Sequence, residues 1–194
     1  MQIRAAVLDR MESPRPYAQT RPISVESVRL DPPGPGEVLV RITAAGLCHS
    51  DLSIINGDRP RPLPMALGHE AAGVVEETGA GVIDLARGDA VALVFVPSCG
   101  HCLPCLEGRP ALCEPGAAAN GAGTLLHGVR RLKRNGQAIN HHLGCSAFAT
   151  HATVSRNSAI RIDPELPLTE AALFGCAVLT GVGAVVNTAQ VRAG

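Results

Sequence analysis

The sequence has 194 residues and a mass of 20.0 kDa, which suffices for one complete domain and the start of a second. Apolar residues make up 46% and charged residues 18%, so the chain can bury enough surface to fold as a globular protein. Lys and Arg together equal Asp and Glu at 17 each, and aromatic residues make up only 2%, which argues against a nucleic-acid partner.

The sequence shows no feature of a membrane-spanning or secreted protein. It has no apolar run of the roughly 18 residues that a membrane span needs, and residues 1–16 lack the hydrophobic segment of a signal peptide. We therefore expect a cytoplasmic protein with no membrane partner. The seven cysteines should be reduced there, so clustered cysteines indicate metal sites or reactive thiols.

Short runs rich in β-branched residues dominate the first half of the chain. These runs lie at residues 3–8, 23–30, 37–43, 71–78 and 89–96. Turn-forming residues separate them, which predicts a compact β-rich domain. One further run, at residues 49–56, has Ser50 and Asp51 near its start and stops before Gly57, so we predict a short helix there.

The second half begins with a segment that has almost no hydrophobic periodicity. Residues 97–123 are dense in Cys, Pro and Gly, so they should need a crosslink other than an ordinary packed core. The stretch up to residue 144 is predicted to be irregular, with residues 130–134 (RRLKR) as a solvated loop. Strands should resume at 147–154 and 158–162. Helices are predicted from Leu168, where Thr169 can act as a cap, and from about Val178 to Val191.

Four closely spaced cysteines form the strongest local pattern. Cys99, Cys102, Cys105 and Cys113 have C-x2-C-x2-C-x7-C spacing, which lets a turn and a returning segment aim four sulfurs at one tetrahedral ion. With four protein ligands the site would be closed, and hence structural. An iron–sulfur cluster is the main competitor, and plain reduced cysteines are a third possibility. We expect His101 to be an exposed bystander.

Three further candidate ligands are dispersed along the chain. Cys48 lies in GLCHSD, His69 in LGHEAAG and Cys176 in FGCAVLTGVGA. Taken singly, each is weak, because a lone Cys is often a core residue and a lone His is often only hydrogen-bonded. Polar neighbours at each position strengthen the set.

The ordered motifs together resemble the zinc-dependent medium-chain alcohol dehydrogenase family. The C-H-S-D, G-H-E-x2-G, four-cysteine and G-C-x3-T-G segments follow one another with the family's spacing across essentially the whole chain. The resemblance implies a mainly β fold with some α, namely a GroES-like β-barrel catalytic domain at residues 1–177. It also implies a zinc lobe at about 97–115 and C-terminal helices. Residues 178–194 would begin a nucleotide-binding domain that is otherwise absent.

The resemblance also assigns metal ligands and their supporting groups. It implies that Cys48, His69 and Cys176 bind a catalytic zinc and leave one coordination position for water or substrate. Glu70 would lie close behind the metal. Asp51 would hold the second imidazole nitrogen of His69, which fixes its tautomer and strengthens it as a ligand.

Other positions match residues that contact substrate or cofactor in the family. Ser50 matches the hydroxyl residue that hydrogen-bonds the substrate oxygen and begins proton removal, and Phe95 matches an apolar pocket wall. By resemblance, His49 approaches the cofactor pyrophosphate and Thr180 the nicotinamide. Ser53 stands where many alcohol dehydrogenases have a histidine that ends the proton relay, which leaves the proton route open.

The implied activity is hydride transfer between an alcohol or aldehyde and NAD(P), with zinc polarising the substrate oxygen. We expect two zincs per chain, and a full-length enzyme that is a homo-oligomer. The segment GVGA at 181–184 has no preceding strand, so we reject it as a dinucleotide loop. The chain alone is expected to bind zinc without turning over alcohol.

A function of another class is a zinc-stapled binding or structural module without chemistry. It predicts one zinc per chain and no metal loss on Cys48→Ala. The remaining histidines and one cysteine have no spacing that compels a role, and we expect them to be structural or surface residues: His127, His141, His142, His151 and Cys145.

Overall fold

The computed structural model describes residues 1–192 and 194, and its ten strands form two sheets. The strands are β1 (Gln2–Leu8), β2 (Ile23–Leu30), β3 (Glu37–Ala45), β4 (Met65–Ala66), β5 (Ala71–Thr78), β6 (Ala90–Leu93), β7 (Leu132–Arg134), β8 (Gln137–His141), β9 (His151–Ser155) and β10 (Ala159–Arg161). One sheet is a closed barrel in the order β1-β2-β7-β8-β4, and the other runs β10-β6-β5-β3-β9. The prediction of a mainly β fold with a barrel is confirmed.

Strand β3 lies between the two cores. Its side chains alternate, as they must in a pleated strand. Val38 and Val40 pack with the five-stranded sheet, whereas Leu39 packs into the barrel core beside Val7 and Ile139. The alternating apolar residues of this run therefore join both layers into one body.

Helices are short and sit mostly at the ends of the strands. They are α1 (Tyr17–Thr20), α2 (His49–Ile55), α3 (Leu103–Leu106), α4 (Glu114–Ala122), α5 (Leu168–Ala171) and α6 (Leu179–Gly183). Turns of 3₁₀ helix occur at Pro110–Leu112 and Arg156–Ser158, and π-helical turns at Phe174–Val178 and Ala184–Thr188 flank α6. None of the helices in the described part of the chain has the length and apolarity to cross a membrane.

The prediction of an irregular stretch up to residue 144 is wrong. Strands β7 and β8 form an antiparallel hairpin that completes the barrel. Asn135 and Gly136 make its turn, both with positive φ (52° and 83°), as a two-residue hairpin turn requires. The segment RRLKR is consequently not a solvated loop: Arg131 pairs with the buried Glu37 at 2.8 Å, and Lys133 with Asp31 at 2.7 Å.

Other element boundaries also differ from the predictions. Part of the segment 97–123 is the regular helix α4, which ends at Gly123 in the left-handed region (φ 67°). The strands predicted at 89–96 and 147–154 are shorter, at Ala90–Leu93 and His151–Ser155. The helix predicted from Val178 begins earlier, in the π-helical turn at Phe174, and continues to Thr188. Predictions for residue 193 lie outside the described residues.

His141 and His142 are both buried at 1% exposure, which excludes a surface position for either. The imidazole Nε2 of His141 accepts the Arg131 backbone N–H at 3.0 Å. Burial, assisted by the charges of Arg130 and Arg131, lowers the pKa of His141 to about 3. His141 is therefore neutral in the folded protein at any pH where the protein would be studied.

A pH dependence of stability follows from His141. Because its folded pKa lies below the unfolded value of about 6.5, its contribution is fully present above pH 6.5 and is lost as the pH falls toward 3. Between pH 7 and pH 5 the wild type should lose about 2 kcal/mol more stability than His141→Gln. Urea unfolding at the two pH values measures this difference. The exposed His127, changed to Gln, is the control and should track the wild type, and equal losses in all three proteins would contradict the prediction.

Candidate zinc centre

Helix α2 positions Cys48 by using it as a cap. Cys48 is the N-cap residue, and its Sγ lies 3.5 Å from the Ser50 backbone N–H. In return, the Asp51 carboxylate accepts the Cys48 backbone N–H at 3.1 Å, which completes a capping box. A carboxylate in the first turn is also favourable at the positive end of the helix. The start of α2 therefore holds the Cys48 sulfur in a defined direction.

His69 and Glu70 are the two residues that directly precede strand β5, and the His69 side chain points into the site. The preceding Gly68 has φ +93°, and a side chain there would meet Phe148, so this position requires glycine. His69 is 1% exposed, and its Nδ1 lies 3.2 Å from the Asp51 carboxylate. The Asp51 carboxylate is thus the hydrogen-bond partner of Nδ1. The other ring nitrogen of His69, Nε2, faces the third candidate ligand, Cys176.

Cys176 sits in the π-helical turn Phe174–Val178, a widened turn that is often found at functional sites. Its Sγ lies 3.9 Å from Cys48 Sγ and 3.6 Å from His69 Nε2. The three donor atoms lie within 4.8 Å of one another. The structure therefore brings together three side chains that are far apart in sequence.

These distances fit a tetrahedral zinc ion. Zinc bonds of about 2.3 Å to sulfur and 2.0–2.1 Å to nitrogen correspond, in a regular tetrahedron, to separations of about 3.8 Å between sulfurs and about 3.6 Å between sulfur and nitrogen. The observed separations are 3.9 and 3.6 Å. Two thiols and one imidazole are also ligands that zinc prefers.

Two buried carboxylates support the cluster from behind. Burial raises the pKa of Asp51, but hydrogen bonds and charge from His142 and His69 outweigh it and hold the pKa far below the usual range, so Asp51 is ionised. Glu70 is 2% exposed and accepts the Ala177 backbone N–H at 2.9 Å. Glu70 therefore ties the entrance of β5 to the turn that carries Cys176.

Gly175 allows that turn to lie against strand β6. A Cβ atom at Gly175 would overlap the carbonyl oxygen of Leu93, whereas nothing lies within 4 Å of a Cβ added at Gly181. We expect Gly175→Ala to displace the turn, cost about 1–3 kcal/mol and weaken zinc binding at the cluster. Gly181→Ala, in the next helical turn, should keep both zinc content and stability. Zinc titration against a competing chelator measures the effect, and equal affinities for the two variants would contradict it.

A cavity of about 460 Å³ opens onto the cluster. Cys48, His69, Cys176, Ser50, Phe95 and Thr180 all line it, together with His142, Leu143, Arg59 and Arg61. The Phe95 ring meets the His69 ring edge-on, with centroids 5.7 Å apart. His49 is exposed on α2, where its Nδ1 lies 3.4 Å from the Ser53 hydroxyl.

Sequence reasoning missed the polar cavity residues His142, Arg59 and Arg61. His142 Nδ1 lies 3.3 Å from the Asp51 carboxylate, so Asp51 faces two imidazoles. No motif spacing marks these positions. The succession of His141 and His142 is the one local feature there, and by itself it does not indicate a role.

The four lobe cysteines also converge. Their ligand atoms lie within 4.8 Å of one another, and Cys102 Sγ is 3.9 Å from Cys113 Sγ. Backbone N–H groups of Cys99 and Gly116 point at Cys113 Sγ at 3.2 and 3.3 Å. Such N–H groups partly offset the negative charge that four thiolates would concentrate at one point.

The four lobe thiols differ in how readily they ionise. The backbone N–H of His101 lowers the pKa of Cys99 to about 6, so this thiol is largely a thiolate at neutral pH. Burial, and then the neighbouring thiols, raise the pKa of Cys105 to about 11. Because each thiolate disfavours the next, a divalent cation is what would let all four ionise together.

Comparison with known proteins identifies the family. The model of the alcohol dehydrogenase GroES-like domain matches residues 34–164. The chain belongs to this family. The resemblance that the motifs indicated is thereby confirmed, and the GroES-like domain with its zinc-binding lobe supports zinc as the metal.

Relatives of this GroES-like domain are dehydrogenases. The chain is 42% identical to S-(hydroxymethyl)glutathione dehydrogenase of Synechocystis sp. and 45% identical to putative alcohol dehydrogenase D of Mycobacterium tuberculosis. In both comparisons 90% of this chain matches 47% of the relative. The chain thus spans about half the length of the curated relatives it matches.

Solved structures show the same GroES-like architecture. An alcohol dehydrogenase zinc-binding domain protein from Burkholderia ambifaria superposes with a TM-score of 0.89 at 39% identity, covering 100% of this chain and 50% of that one. Benzyl alcohol dehydrogenase from Acinetobacter calcoaceticus gives 0.86 at 31% identity, covering 99% and 49%.

Proposed function

We propose that this chain is the zinc-bearing catalytic part of an oxidoreductase that transfers hydride between an alcohol or aldehyde and NAD(P). The observation that carries the proposal is the convergence of Cys48, His69 and Cys176 at one end of an open cavity. Three protein ligands, rather than four, are typical of catalytic zinc sites, which keep one position for water or substrate. The names of the relatives support an alcohol or aldehyde as the substrate.

Each residue at the site has a defined task under this proposal. Zinc, held by Cys48, His69 and Cys176, would supply Lewis acidity toward the substrate oxygen. Asp51 fixes the tautomer of His69 so that Nε2 faces the metal position. Glu70 holds the Cys176 turn in place.

Substrate and cofactor contacts are further parts of the proposal. Ser50 lines the same cavity and would hydrogen-bond the substrate oxygen and begin proton removal, passing its own hydroxyl proton on to water or a cofactor hydroxyl, while Phe95 would form the apolar wall. Thr180 lines the cavity and would contact the nicotinamide, and His49 would approach the pyrophosphate. We propose two zincs per chain, one at the cluster and one in the lobe, and a homo-oligomeric whole enzyme.

Cobalt substitution tests whether the cluster accepts a small ligand. Cobalt bound to thiolates has visible absorption that changes when its ligands change, so adding an alcohol or aldehyde should alter the spectrum if the cluster has an accessible position. The change should disappear in Cys48→Ala and persist in Cys145→Ser, a buried cysteine outside both clusters. A spectrum that no alcohol or aldehyde alters would favour the alternative, a zinc-stapled module without chemistry.

A further inference from the structure

The cavity at the cluster has a cationic wall. Arg59 and Arg61 both line it. Within residues 1–192 and 194, neither guanidinium forms a salt bridge with a carboxylate, whereas six other arginines, among them Arg131, Arg134 and Arg156, are each paired. Two guanidiniums without a carboxylate partner thus belong to the wall of the cavity that holds the cluster.

Arg61 is the more informative of the two. It is half-buried, and its Nε is fully shielded without a hydrogen-bond partner. A buried donor left unpaired is destabilising, and such a group in a native structure calls for an explanation. A ligand acceptor that completes the hydrogen bond is the simplest one.

His142 gives a second, independent indication of a polar ligand. It lines the same cavity, is 1% exposed, and its Nε2 has no hydrogen-bond partner. Nδ1 lies 3.3 Å from the Asp51 carboxylate but does not make a hydrogen bond of normal geometry with it. Nε2 has no partner among the described residues, so Nε2 is the nitrogen left for another group. Two unsatisfied polar groups in one cavity argue against a purely hydrocarbon substrate.

We propose that the substrate is an alcohol or aldehyde that carries a carboxylate, with Arg61 as its main recognition residue and Arg59 as a second positive charge. A guanidinium presents several donors in one plane, which matches the two oxygens of a carboxylate. The carboxylates of the site, Asp51 and Glu70, are buried and already bonded to other groups. The inference rests on the proposed function, because it assigns this cavity to the substrate.

Paired probes separate charge recognition from general binding. The probes are 4-(hydroxymethyl)benzoate and its neutral counterpart 4-(hydroxymethyl)benzamide, titrated into the zinc-loaded protein by calorimetry at low salt. We expect the benzoate to bind about tenfold more tightly, which is about 1.4 kcal/mol. Arg61→Gln should remove most of this preference, and Arg61→Lys should restore part of it. The exposed Arg87, changed to Gln, should leave the preference unchanged.

The results of these titrations show separately whether the carboxylate inference fails and whether the proposed function fails. If Cys48→Ala weakens binding of both probes but the wild type binds them equally, the carboxylate inference is overturned and the proposed function stands. If Arg61→Gln spares the benzoate preference, the Arg61 guanidinium does not recognise the carboxylate and the inference is again overturned. If Cys48→Ala affects neither probe, the proposed function fails and the inference fails with it.

Discussion

Cys113→Ser is expected to empty the lobe of zinc and to lower the stability of the protein severely. Cys113 is fully buried, and it accepts two backbone N–H groups besides facing the other sulfurs. Closed zinc sites contribute about 10–16 kcal/mol of apparent binding energy, which is comparable to the whole stability of about 5–15 kcal/mol for a typical domain. Metal content by mass spectrometry and thermal unfolding together measure the effect.

The matched control for this change is Cys145→Ser. Cys145 is also fully buried, but it lies outside both clusters and its Sγ contacts the Val94 carbonyl at 3.6 Å. It should lose some packing energy and no zinc. Equal zinc content in the two variants would contradict a metal role for Cys113.

Cys48→Ala should lower the zinc content from two ions to one and leave the lobe metal in place. The cluster would retain only His69 and Cys176, and two ligands hold zinc far more weakly than three. Because Cys48 also caps α2, the alanine should cost about 1 kcal/mol as a lost cap. Metal analysis and urea unfolding separate these two effects.

Cys48→Ser refines the same test. Serine is a good N-cap residue, so this variant should keep the stability of α2 while still losing the cluster zinc. A wild type that holds a single zinc, unchanged in either variant, would instead support the zinc-stapled module.

Much of the sheet structure could be predicted from the sequence, because alternating β-branched residues reveal strands that are buried on one face. Strands β7 and β8 were not predicted because they contain few large apolar residues. Leu132 and Ile139 are the large residues that they place in the barrel core, and mostly polar or charged residues surround both in the sequence. Helix α4 escaped because Ala, Gly and Asn dominate it, which leaves no apolar stripe to detect.

The two metal clusters also differ in how far the sequence alone predicts them. The lobe ligands are local, so their spacing alone indicates a site. The roles of Cys48, His69 and Cys176 could be predicted only from ordered motifs, since the topology that joins them is invisible in spacing. His142 and Arg61 could not be predicted, because a side chain's lack of a partner is a property of the folded cavity.

The two clusters differ in the length of the chain loop that must be closed to bring their ligands together. This difference predicts the order in which the two clusters form during folding. Lobe contacts join residues up to 14 apart, whereas Cys48 and Cys176 are separated by 128. Closing the longer loop costs about 2 kcal/mol more, and it also requires β3, β5 and β6 to be in place. During refolding, the lobe should therefore bind the first ion while the sheets are still forming, and uptake of the second ion should mark completion of the five-stranded sheet.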